Sequence, residues 1–267
     1  MPFSIRTVSA LTLRYVYLYT RHPVRLIELV FWPLVDLLVW GFLTVYLQKQ
    51  GGGGFPGAIT FLIGGMILWD VLFRSQQGVA ISFLEDVWTR NLLNVFVAPV
   101  RTAEYVAATC LVGVMRLCVT LLILAIVSAM AYGFNLSSLG LALLPFLGNL
   151  ILFGWFLGMI STALIMRWGQ AAESLAWAVP FFIQPLAAVF YPVSVLPAWL
   201  QPAAMALPCT PIFEGMRTVL AGHPTPWGNV QHALLLNVVW GLLAAFFFAA
   251  NLRHVRKTGL LVKVATQ

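Results

Sequence analysis

YPVSVLPAWLQPAAMALPCTPIFEGMR, residues 191–217, decides how the rest of the chain is read. It carries Pro192, Pro197, Pro202, Pro208 and Pro211, yet it is nearly as apolar as the sequence around it. A proline inside a helix removes a backbone hydrogen bond and clashes with the preceding turn, so the stretch is not one continuous rod. It is also too apolar for a solvated loop. Pro192 and Pro197 are expected to end the helix before it, and Pro202 to sit in the first turn of a short helix reaching about Leu207. Pro208 then stops that helix, Thr210 caps a second with Pro211 at its first position, and Gly222 and Pro224 close it. Each piece has at most about eleven residues, or about 16 Å, roughly half the hydrocarbon thickness of a bilayer. The region 196–224 therefore reads as a re-entrant helical hairpin, with Glu214 and Arg217, at i and i+3, spaced for an ion pair.

Working outward, the 267 residues are 61% hydrophobic and only 9% charged, against about 25% charged in a soluble domain. The chain belongs in a membrane. Six runs are apolar and long enough to span it, at about 25–47, 57–81, 104–132, 141–166, 172–195 and 229–250. The basic residues choose the orientation. Arg6, Arg14, Arg21, Arg25, Arg90, Arg101, Arg167, Arg253, Arg256, Lys257 and Lys263 fall in segments on one side, and only Lys49 and Arg217 on the other. By the positive-inside rule both termini are cytoplasmic. The same rule accounts for the net charge of +7 without any nucleic-acid partner.

Residues 1–24 do not form a signal peptide, because Arg6, Arg14 and Arg21 interrupt any apolar run. They suit an interfacial amphipathic helix, with the arginines on one side and Val8, Leu11, Tyr15 and Leu18 on another. Residues 251–267 form a cytoplasmic tail, and the whole chain is expected to be a single all-α membrane domain.

Catalytic chemistry is not legible. Cys110, Cys118 and Cys209 have neither disulfide nor zinc spacing, and His22, His223, His232 and His254 lie near loops or span ends. Gly51 to Gly54 are followed by Phe-Pro and lack the Lys-Ser/Thr of a phosphate-binding loop. No metal or cofactor is expected in this chain.

Charge inside the spans is costly, about 2.5–3.5 kcal/mol at the bilayer centre on insertion scales. Asp70 and Arg74 are spaced for a pair within one helix, which leaves Asp36 and Arg116 as a pair across helices. These residues either line a route or fix helix register as buried ion pairs. Gln184 stands between Pro180 and Pro185 in span 5, whose kinks free carbonyls that face a cavity or a neighbour. Asn149 reads as interhelical glue. Trp40, Trp199 and Trp227 read as an aromatic belt.

Between spans 2 and 3, SFLEDVWTRNLLNVFVAPVRTAEY (82–105) offers a short helix across the membrane surface, with Glu85 and Asp86 at its start. This connection, with Asp86 or Glu85, then Leu92, Leu93, Ala98 and Pro99, resembles that of ABC-2-type exporter permeases. So does the region after span 5, in Phe190, Tyr191, Pro192, Leu196, Pro197, Trp199, Pro208, Glu214 and Arg217. Arg90 and Asn91 stand where the family often has Gly-Thr. The likeness covers nearly the whole chain.

The resemblance implies a multi-pass permease in a cell membrane, a bacterial inner membrane above all. It would work with a second copy of itself and export a lipid, glycolipid, polysaccharide or drug-like substrate. A separate subunit would supply ATP hydrolysis, with ATP and Mg bound there. That ATPase would dock on a coupling helix in 82–100, through Glu85, Asp86, Val87, Trp88, Arg90 and Asn91. Asp36, Asp70, Arg74, Arg116, Gln184 and Tyr191 would belong to the route, and Pro197, Trp199, Pro208, Pro211, Glu214 and Arg217 to an exterior gate. The competing reading is an ion- or proton-coupled carrier built on Asp36, Asp70 and Arg116.

Overall fold

The structure is a computed structural model that describes residues 3–21, 23–50, 58–89 and 91–258. His22, Gly51 to Gly54, Arg90, Lys263 and the side chains of Leu92 and Leu93 lie outside what is described. Ten α-helices follow one another, with no strand among the described residues. They are α1 (Ile5–Thr20), α2 (Pro23–Gln50), α3 (Ala58–Trp88), α4 (Leu92–Val97) and α5 (Thr102–Tyr132). Then come α6 (Leu143–Trp168), α7 (Glu173–Leu186), α8 (Gln201–Met205), α9 (Cys209–Leu220) and α10 (Trp227–Thr258).

Four segments among the described residues are long and apolar enough to cross a membrane: Pro23–Leu47, Thr102–Tyr132, Leu136–Trp168 and Trp227–Thr258. They coincide with runs 1, 3, 4 and 6 of the sequence. Runs 2 and 5 fall in α3 and α7. α3 is a 31-residue helix, about 46 Å long at 1.5 Å per residue, and it carries Asp70, Arg74, Glu85 and Asp86. α7 has 14 residues, about 21 Å, which is less than the roughly 30 Å of hydrocarbon.

α3 is the axis of the molecule. It is buried along nearly its whole described length and packs chiefly on α6 and α5, with α2, α7 and α9 around it. Glycine brings the backbones together. A Cβ at Gly78 would lie 2.5 Å from the Gly113 Cα of α5. One at Gly158 of α6 would lie 2.7 Å from the Gln76 carbonyl oxygen. Such small-residue contacts are how helices pack closely where lipid supplies no hydrophobic drive between them. Asn149 acts as expected between α6 and α10, its Oδ1 accepting from Asn237 Nδ2 at 2.9 Å.

The interfacial helix departs from its expected orientation. α1 buries Thr12, Tyr15 and Tyr19 and packs on α5 and α2, and Arg14 turns inward instead of joining the other arginines. Polar tips govern this face because the groups it meets are carboxylates. Trp40 also departs from the belt, stacking on Phe190 with ring centroids 4.1 Å apart, whereas Trp199 and Trp227 are exposed.

Candidate functional site

The end of α3 was expected to present acids to a partner, and it does the reverse. Asp86 is completely buried. Its Oδ1 accepts from Arg14 Nη2 at 2.5 Å, and its Oδ2 from the Tyr15 hydroxyl at 2.6 Å and the Tyr105 hydroxyl at 2.9 Å. Burial, and after it the Asp86 charge, pushes the Tyr15 phenol far above its ordinary range, so it stays protonated and donates. Glu85 is also buried, and its Oε1 accepts from Arg25 Nη1 at 3.0 Å. Val87 is buried as well.

The docking assignment of Glu85, Asp86 and Val87 is therefore corrected. Residues 82–88 continue α3 instead of lying across the surface, and a carboxylate inside protein must find donors there. The acids hold α1 and the start of α2 against the axis helix. Glu104 completes the arrangement, accepting from the Ser4 and Arg101 backbone N–H groups at 2.7 and 2.9 Å. What remains for a surface contact is the connection itself. Trp88, Thr89, Asn94 and Val97 are exposed and Asn91 is half-buried, and Trp88 Nε1 donates to Glu173 Oε2 at 3.3 Å.

Among the intramembrane charges, Asp70 and Arg74 pair as spaced, Nε to Oδ1 at 3.2 Å, both buried. Asp36 and Arg116 do not form the expected pair. The Arg116 guanidinium instead lies 4.3 Å from the Tyr19 ring centroid, a cation–π contact that brings α1 into the charge arrangement. Asp36 is exposed on α2 and makes no ion pair among the described residues.

Both residues nevertheless line one cleft of about 580 Å³, together with Arg74. Its charged lining is Arg25, Arg74 and Arg116 with Glu28, Asp36 and Glu85, and its walls include Trp32, Phe73, Trp177 and Phe181. Gln77 also lines it, 4% exposed, with its Nε2 lacking a hydrogen-bond partner.

Neighbouring Gln76 has a different task. Its Nε2 donates to Ser161 Oγ at 3.0 Å and to the Ala176 carbonyl at 2.9 Å. That carbonyl is the one Pro180 leaves without its helical donor. The adjacent amides Gln76 and Gln77 in an apolar run were a sequence signal that composition alone did not resolve.

α7 ends at Leu186, not near residue 195, and the prolines at 192 and 197 are not what stops it. Ala188 takes φ +52°, a conformation uncommon for a residue with a Cβ. Arg217 Nη1 donates to the Ala188 and Val189 carbonyls at 2.9 and 3.3 Å. The Tyr191 hydroxyl donates to the Pro185 carbonyl at 2.5 Å. Gln184 itself is half-buried.

The Glu214–Arg217 pair forms, at 3.0 Å, and Glu214 Oε1 also accepts from the Val193 N–H at 2.7 Å. The pair thus clamps the unwound segment after α7, a role that spacing alone did not reveal. Pro202 lies in the first turn of α8, and Gly222, at φ +87°, ends α9, as expected. Thr210 is inside α9 instead of capping it, and Pro208 occupies the cap position. Pro211 gives its carbonyl to Asn229 Nδ2 at 3.2 Å. Around Pro197 the chain is exposed, and Trp199 is 78% exposed.

A family model, ABC-2 type transporter, matches residues 6–221, from α1 through α9. The chain belongs to the ABC-2 type transporter family. It is a multi-pass membrane protein of a permease family whose members work with an ATPase partner. A comparison with curated proteins finds no match.

Proposed function

We propose that this chain is the membrane subunit of an ATP-driven exporter, with a second copy forming the other half of the route. Membership of the ABC-2 family carries this reading. In it α2, α3, α5, α6, α7 with the segment after it, and α10 make six passages, and both termini face the cytoplasm. α8 and α9 dip from the opposite face and return. The positive-inside distribution supports the orientation. For the dip, the support is that α9 has 12 residues, several of them buried, so it is too short to span. The proline-rich turns and the Glu214–Arg217 clamp would then lie at the exit, with Trp199 and Pro197 at its rim.

An ATPase carrying ATP and Mg would bind the connection at residues 88–100. α4 is a short helix between two long ones; Thr89 before it and Asn94 within it are exposed, and Val97 at its end is 84% exposed. Asp36, exposed on a spanning helix, is better accommodated by a water-filled cleft or a second copy than by lipid, given its cost there. The coupled-carrier alternative gains nothing from the geometry, since Asp70 is held by Arg74 and Arg116 rests on Tyr19.

The test is affinity purification of the full chain with its candidate ATPase, comparing wild type with Asn94→Lys/Val97→Asp. The expected result is an ATPase that co-purifies with wild type and is lost from the variant at unchanged melting temperature. Co-purification unaffected by the variant would sink the docking site. Absence of any ATPase from the wild-type chain would sink the permease reading.

A further inference from the structure

The cleft between α2, α3, α5 and α7 carries more chemistry than a greasy route needs. Three guanidiniums and three carboxylates line it, so it has no net charge, and its charges are unevenly used. Arg25 is taken by Glu85 and Arg74 by Asp70. On one wall this leaves two buried donors, Arg116 Nη1 and Gln77 Nε2, outnumbering the one buried acceptor without a partner, Glu85 Oε2. On the open side it leaves two exposed carboxylates without ion pairs among the described residues, Glu28 and Asp36. These two lie eight residues apart on α2, with Trp32 midway between them, so all three share one helix face.

A buried donor left unsatisfied costs free energy that a bound acceptor recovers. An oxyanion would satisfy the donor wall but would face two carboxylates, and a simple cation would leave both donors orphaned. A headgroup bearing both a phosphate and an ammonium meets both requirements. The aromatic walls suit an apolar tail, and the cleft volume lies within the range of about 300–1,000 Å³ usual for small-molecule sites.

We infer that this cleft binds a zwitterionic amphiphile of the phosphoethanolamine type, its phosphate on Arg116 and Gln77 and its ammonium toward Asp36 and Glu28. Transport of that ligand rests on the permease reading; its binding does not.

The experiment titrates the purified full chain in maltoside micelles with dihexanoyl phosphatidylethanolamine, following tryptophan fluorescence. Dihexanoyl phosphatidylglycerol, decylamine and soluble phosphoethanolamine serve as comparison probes. Saturable binding of the ethanolamine lipid is expected, with the three other probes at least about tenfold weaker. Arg116→Gln and Gln77→Leu should each weaken it, Arg116→Gln by about tenfold or more, as loss of a charge-assisted hydrogen bond implies.

Asp36→Asn is the variant a merely structural role would not explain. It should weaken the ethanolamine lipid and bring the glycerol lipid up toward it. Equal wild-type affinity for the two lipids, or no binding of any probe, overturns the proposal. Soluble phosphoethanolamine binding as tightly as the lipid overturns the amphiphile. Because no ATPase is present, a failure here leaves the co-purification result standing, and a failed co-purification leaves this binding standing.

Discussion

Two charge clusters lie along α3, and they are built in opposite ways. Around Asp86 the carboxylate is sealed from solvent and receives Arg14, Tyr15 and Tyr105. Around Arg116 a guanidinium nitrogen, Gln77 Nε2 and Glu85 Oε2 are buried without hydrogen-bond partners among the described residues, beside a cleft open to Asp36 and Glu28. Residue types are alike in both. What separates them is where the acid stands: a buried carboxylate with three donors holds elements together, though Arg14 Nη1 stays unpaired, whereas exposed acids beside a cleft have capacity left for a ligand.

The largest effect is expected where the carboxylate is buried. Asp86→Ala removes the acceptor of half-buried Arg14 and of two buried hydroxyls and should cost about 3 kcal/mol, measured as detergent-solubilised melting and folded yield. A loss under about 1 kcal/mol would abolish the contrast between the clusters. Next is Arg217→Met, which removes the donor from the Ala188 and Val189 carbonyls and leaves Glu214 without its cation. A loss of about 2 kcal/mol is expected, with faster proteolysis within residues 187–195. Protection equal to wild type would show that the unwound segment is held by something else.

Tyr105→Phe deletes one of three donors to Asp86 and should cost about 1 kcal/mol. A double-mutant cycle with Tyr15→Phe should be non-additive, because both hydroxyls serve the same oxygen. Additive costs would mean that the sealed cluster is not one unit. The smallest stability change belongs to the open cluster. Arg116→Gln gives up the Tyr19 cation–π contact and should cost no more than about 1 kcal/mol, while reducing coupled transport by about tenfold or more. A large loss of stability would move Arg116 into the structural class.

Legibility in the sequence followed distance along the chain. Four spanning helices were readable because each is a long apolar run. Asp70–Arg74 and Glu214–Arg217 were readable because helical spacing puts i,i+4 and i,i+3 side chains together. The partners of Asp86 were not, since Arg14 and Tyr15 stand 72 and 71 positions away. Nor was the stop at Leu186: the prolines at 192 and 197 suggested a later one, while the real termination rests on a guanidinium from α9. Gln76 and Gln77 show the limit most sharply. Adjacent and identical, they point to different neighbours: Gln76 Nε2 reaches a proline-freed carbonyl, while Gln77 Nε2 has no partner among the described residues.

The glycine contacts along α3 also govern how force passes through the molecule. Where Gly78 meets Gly113, and Gly154 and Gly158 meet the α3 backbone, no layer of side chains separates the helices. Sliding one past another would drive Cβ-bearing residues into main chain. α3, α5 and α6 are therefore geared together at mid-length, and a push delivered beside α4 should turn them as a single block. In mechanical terms these three helices form a keyed shaft, and the glycines are the key.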